Sequence, residues 1–66
     1  MRTEHEVIRL RRAVSGIPAG GIGTIMMISP EDPSEYLIEF PDPEGKSILL
    51  VQVHESDLES TAENPR

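Results

Sequence analysis

Two segments of the chain alternate polar and apolar residues with the two-residue period of a β-strand. In His5–Arg12 (HEVIRLRR) the pattern sends Ile8 and Leu10 to a core, with Val7, Arg9 and Arg11 outward. Val7 departs from strict alternation, as happens where a strand bends. In Glu35–Phe40 (EYLIEF), Tyr36, Ile38 and Phe40 share one face and Leu37 and Glu39 the other. Two further runs, Thr24–Ile28 (TIMMI) and Ser47–Val53 (SILLVQV), are rich in β-compatible residues but apolar on both faces. No window shows the apolar stripe of a helix, which excludes a helical bundle.

Breakers separate these runs. Ala13–Gly23 holds Pro18 and four of the five glycines, so it is predicted to be an irregular loop with Ile17 and Ile22 as inward anchors. Ser29–Ser34 (SPEDPS) contains two prolines and is predicted to be a loop tip. Pro41–Lys46 (PDPEGK) has the chemistry of a tight bulged hairpin. Asp42 bonds its own backbone, Pro43 presets φ, and Gly45 tolerates positive φ. His54–Leu58 is predicted to form a single helical turn, with Ser56 or Asp57 near its start and Leu58 tucked inward. These elements predict an all-β fold: a small SH3-like barrel of four to five strands over residues 4–59, with a one-turn helix near its end. Residues 60–66 are predicted to form a flexible acidic tail.

Composition narrows the picture. A chain of 66 residues buries only about 60 % of its unfolded surface, so nearly every apolar residue is needed inside. With only Tyr36 and Phe40 as aromatics, Ile, Leu, Val and Met must supply the core. The chain has no cysteine, which rules out disulfides, zinc–thiolate sites and thiol chemistry and points to a reducing, cytoplasmic setting. Met1–Arg12 carries six charges, unlike a signal peptide. The longest apolar stretches, Ile25–Ile28 and Ile48–Val51, are four residues each, too short to cross a bilayer as a helix.

Once these residues are laid out, the chain resembles a bacterial family of short stand-alone proteins of unknown function. The pattern runs from HEVIRLRRAV through IPAGGIGTI and EYLIEF to DPEGK and HESDLE. Its most specific part is the ordered set Gly20, Gly23, Thr24, Tyr36, Glu39, Phe40, Asp42 and Gly45. The resemblance spans roughly Glu4–Glu59 and implies an SH3-like barrel with no established activity. More distantly, the Gly23-Thr24-Ile25 step resembles other SH3-like barrels, among them nitrile hydratase accessory segments, a photosystem I reaction-centre subunit and the KOW motif. Met26 and Met27, where the family carries valines, and the extra length at Pro30–Ser34 depart from the pattern.

No residue set reads as catalytic. His54 and Asp57, with His5, have the residue types of a metal site, but a strand end and a capped turn explain them without a metal. The acids Glu31, Asp32, Glu35, Asp42 and Glu44 sit in or beside wet loops, where paired carboxylates are not driven apart in pKa. Gly16, Gly20, Gly21 and Gly23 precede a strand and have no lysine among them, unlike a phosphate-binding loop. No serine–histidine arrangement stands out. Two aromatics on one core face cannot line a polyproline groove or a methyl-lysine cage. No catalytic residue, metal or cofactor is therefore assigned.

The net charge is −6, with +2 over residues 1–12 and −8 thereafter. That balance disfavours nucleic acid, whose affinity depends on neutralising phosphates. Only Arg2, Arg9, Arg11 and Arg12 offer a nucleic-acid alternative. The positive signal is the two-sided apolar runs. A strand can bury one face, so Ile25, Met27, Leu49 and Val51, or the opposite set, are left outside unless strong twist draws both faces inward. The reading is a non-enzymatic interaction module that docks on a protein partner or forms a homodimer through these residues. Its acidic loops would serve as a steering rim. A related alternative is an acidic, antitoxin-like inhibitor of a basic protein.

Overall fold

In the computed structural model, which describes residues 2–42 and 44–59, the predicted runs become strands. They are β1 (Val7–Arg9), β2 (Ile22–Ile28), β3 (Glu35–Pro41) and β4 (Ile48–His54), followed by a 3-10 turn at Glu55–Asp57. Each strand pairs antiparallel with the next, giving one sheet in the order β1-β2-β3-β4. The all-β class is therefore present, and none of the described residues is α-helical.

The strands follow from their residues. On β3, Tyr36, Ile38 and Phe40 are buried, as the alternation requires. The turn after β3 is built as its residues dictate: Gly45 has φ of 73° and its N–H donates to the Asp42 carbonyl at 2.7 Å. The Asp42 carboxylate accepts from the Glu44 N–H at 3.3 Å. The contribution expected of Pro43 lies outside the described residues, as does the predicted tail, 60–66.

On β2 the two-sided run is resolved by a bulge. Ile25 faces Ile38 of β3 and Met27 faces Leu37, leaving Met26 as the extra residue. The bulge changes parity, so Ile25 points in, Met26 and Met27 point out, and Ile28 packs back on the core. Upstream, Gly23 is buried with no room for a side chain. A Cβ there would lie 2.8 Å from the Glu39 carbonyl oxygen, Ile38 Cγ2 and Phe40 Cδ1. Because Gly23 takes the inward position, its neighbour Ile22 faces outward opposite Arg9 and is exposed, not the inward anchor expected from sequence. Ile17, the other expected anchor, is buried.

The long glycine loop is more regular than its composition suggests. Val14 and Ile17 exchange both backbone hydrogen bonds, at 2.9 and 2.8 Å, across Ser15 (φ 49°) and Gly16 (φ 85°). Positive φ at both central residues is the signature of a two-residue hairpin turn of the I′ kind.

After the 3-10 turn the chain crosses to the far edge of the sheet. Leu58 bridges Leu10, the Arg11 N–H donates to the Asp57 carbonyl, and the Glu59 N–H donates to the Arg9 carbonyl. This return covers β1 and buries Leu58. The ladder does not run on from β4, so the sheet is open there and the closed barrel expected from sequence is not formed as a continuous ring. The core gathers Ile8, Leu10, Ile17, Ile25, Tyr36, Ile38, Phe40, Val53 and Leu58, with Val14, Ile28 and Val51 packed against it.

Candidate interaction surface

The four apolar residues singled out in the sequence do not form one patch. Ile25 is 0 % exposed and is core, because the bulge places it on the inward side. It is unavailable to a partner. Val51 faces Ile38 and packs half-buried on the core. Leu49 faces Phe40 on the same inner row but is 38 % exposed, near the hairpin end of β4. Met27, 48 % exposed, is alone of the four on the outer face, beside Leu37.

On β4 the residues that are more exposed than these are the opposite set. Ile48 and Leu50, at 59 % and 61 % exposure, lie on its outer face opposite Pro41 and Glu39. With Leu49 they leave three consecutive large apolar side chains exposed at the start of an edge strand. The signal was present in the run ILLV. What the run lacks is any mark of which parity faces the core. Val7 and Ile22 add exposed apolar surface at the other edge. Between Met27, Ser29, Pro30, Leu37 and Gln52 the outer face dips into an open depression of ≈ 160 Å³, below the size of ordinary small-molecule sites.

The arginine cluster is taken apart by the fold. Arg2, outside the predicted domain limits, is one of its buried residues. Its guanidinium donates from Nε and Nη2 to the two Glu55 oxygens at 3.0 and 3.1 Å, from Nη1 to Glu6 at 3.2 Å, and from Nη2 to the Glu59 carbonyl at 2.7 Å. The Tyr36 hydroxyl donates to Glu55 at 2.6 Å. Burial alone would raise the Glu55 carboxyl, but the hydrogen bonds from Arg2 and Tyr36 and the Arg2 charge hold it below its ordinary value. The Tyr36 phenol is pushed up to about 12 by burial and by the carboxylate it bonds. Arg2 is thus committed inside the protein and unavailable to a phosphate. Of the others, Arg12 pairs with Asp57 at 3.2 Å and Arg9 lies 3.9 Å from Glu59, while Arg11 is exposed.

Of the loop acids, Asp32 and Asp42 bond within their own turns. Asp32 accepts from the Ser34 hydroxyl at 2.6 Å and its N–H at 3.1 Å, which lowers its pKa. His54 caps the 3-10 turn: its Nδ1 accepts from the Ser56 N–H at 3.0 Å. Its Nε2 lies 3.4 Å from Ser34 Oγ. Ser34 gives its proton to Asp32, so the series Asp32–Ser34–His54 runs in the wrong order for a nucleophile relay, where histidine takes the serine proton and the acid holds the histidine. Asp57, turned to Arg12, does not join His54, and among the described residues no three potential ligands converge on a metal site. No helix among them is long and apolar enough to cross a membrane.

Comparison with known protein families, with curated proteins and with solved structures finds no match to this chain.

Proposed function

We propose that the chain is a non-enzymatic protein-interaction module of the cytoplasm, on an SH3-like small barrel whose last edge is open. One observation carries the reading: Ile48, Leu49 and Leu50 are all exposed on a strand that has no formal charge from Ile48 to Val53. Surface strands of monomeric proteins are usually protected by charge, proline, bulges or a covering segment, and apolar surface without such protection marks a contact site. Buried Arg2, bound to Glu6 and Glu55, and the Tyr36–Glu55 bond serve to fix the 3-10 turn and the chain start, which leaves the polar interior occupied by structure. The acidic loops at the two ends of β3 lie around the apolar strand and supply orientation rather than affinity.

Site-specific photo-crosslinking in native cytoplasm tests this reading. A crosslinker at position 50 should capture a discrete protein, this chain or another, and one at exposed Ala19, in the loop beside β1, should not. No discrete product from position 50 would refute it.

A further inference from the structure

We propose that the open edge of β4 is the seat of a second copy of this chain, paired antiparallel about a twofold axis at Val51 so that two sheets join into one. This deepens the interaction reading above and depends on it. Backbone parity defines what the edge offers. The Asp42 N–H donates to the Ser47 carbonyl at 3.0 Å, and the Glu55 N–H donates to the Ser34 carbonyl at 2.7 Å. These two bonds bracket a register that runs without a break from Pro41↔Ile48 to Glu35↔His54. Hydrogen-bonded and non-bonded pairs alternate along an antiparallel ladder. Residues 47, 49, 51, 53 and 55 therefore bond to β3, while Ile48, Leu50 and Gln52 turn both N–H and C=O outward and His54 its N–H, the His54 carbonyl being committed as N-cap of the 3-10 turn.

The two edges of the sheet are treated differently. β1 is cut to three residues and covered by the return of Leu58 to Leu10. β4 runs for seven residues with no proline or bulge, and no described segment pairs with its outer side. It lacks the devices that keep edges from pairing.

Self-pairing has one register that uses all four outward residues. With the axis at Val51, Ile48 meets His54 of the other copy and Leu50 meets Gln52, twice each. Directly opposed residues share a face, so Leu49 gains Val53 of the other copy as its neighbour. The net charge of −6 opposes a second copy. Along β4, however, no formal charge faces its equivalent, and the ends are complementary. Lys46, the sole cation between Arg12 and Glu59, is brought to the Glu55–Asp57 turn of the other copy, whose two acids pair with their own Arg2 and Arg12 but keep 43 % and 24 % of their side chains exposed. Its present partner is Glu44, at 3.7 Å on the open surface, so it can be recruited at little cost.

Light scattering and amide hydrogen exchange on the whole chain, over a concentration series, test the proposal. The expected result is a dimer in which the N–H groups of Leu50 and Gln52 are protected, with protection falling on dilution. Leu50→Pro removes an N–H that the fold does not use, so it should leave a folded monomer. Lys46→Glu should weaken the dimer several-fold in low salt. A wild-type monomer at every concentration overturns the proposal, whether the Leu50 and Gln52 amides exchange freely or are covered by another part of the same chain. So does a folded Leu50→Pro dimer, or a dimer that Met27→Glu abolishes and Leu50→Pro does not, which would place the contact on the sheet face. If Leu50→Pro does not fold, the concentration dependence of the wild-type Leu50 and Gln52 amides decides alone. A monomer that still crosslinks to a different protein from position 50 defeats this inference and leaves the interaction reading standing.

Discussion

Arg2→Gln offers the sharpest test of how this fold is held. Arg2 stands before the first strand, where a side chain would ordinarily be solvated, yet it makes four hydrogen bonds to Glu6, Glu55 and the Glu59 carbonyl. It ties the chain start to the 3-10 turn and to the segment that covers β1. Hydrogen bonds to charged groups contribute about 1.5–3 kcal/mol each when buried. Glu55 is partly exposed, with 43 % of its side chain accessible, and Glu6 less so, so solvent screening discounts the sum. Removing the guanidinium also leaves Glu55 and Glu6 beside one another without their cation. A loss of about 2–3 kcal/mol is expected. That is a large share of the ~3–10 kcal/mol that a domain of this size has in total.

Urea denaturation of Arg2→Gln and wild type should show a lower midpoint with an unchanged slope, which marks lost stability rather than a changed end state. The pH dependence gives an independent reading. The Glu55 pKa is depressed in the folded protein. Its contribution is therefore complete above the ordinary carboxyl pKa and is lost as pH falls through the depressed value. Without Arg2 only the Tyr36 bond is left to oppose the upward push of burial, so the depression shrinks and the acid-side loss of stability that Glu55 contributes should be smaller than in the wild type. A variant within about 0.5 kcal/mol of wild type, the usual range for surface substitutions, would refute the assignment of Arg2 to the interior.

Three further outcomes follow from the same geometry. Because the Tyr36 pKa is raised to about 12, the unfolded chain releases this proton first, and stability should decline between pH 10 and about 12; Tyr36→Phe should remove that decline in alkaline urea titrations. Gly23→Ala should cost about 1–3 kcal/mol by forcing a methyl against the Glu39 carbonyl and two core side chains, seen as a lower thermal midpoint. Gly16→Ala should cost roughly 1–2 kcal/mol for a different reason, since nothing lies within 4 Å of the added Cβ and only its φ of 85° is at fault. Gly16→Asn should recover most of that loss, and an equal cost for the alanine and asparagine variants would refute the backbone explanation.

The legible part of the fold was the part governed by local periodicity. EYLIEF became β3 with its faces as read, Ile8 and Leu10 went inside, and PDPEGK turned where Asp42 and Gly45 required. Contacts distant in sequence left no such trace. Nothing in the N-terminal residues marks Arg2 as the partner of Glu55, 53 positions away. The alternating HEVIRLRR shows Arg9 and Arg11 as outward, correctly, and makes Arg2 look like one more surface cation.

The candidate surface was half legible for a more specific reason. A run apolar on both faces states that some of its residues stay outside but not which parity does. On β2 the choice is made by the bulge at Met26, which lets Ile25 and Ile28 both face in although they are an odd number of residues apart. On β4 it is made by the tight turn, which fixes the pairing of Pro41 with Ile48 and so sends Val51 and Val53 inward and Ile48 and Leu50 out. A one-residue slip would have reversed every one of these assignments. The edge position of β4 is a still more global property. It follows from where the chain goes after Asp57, since Leu58 returns to Leu10 and leaves the outer side of β4 unpaired among the described residues. The same turn that decides which side chains are exposed also decides which amides are, and Leu50 has both exposed at once. That coincidence makes substitutions at position 50 able to separate contact through an apolar side chain from contact through a backbone edge.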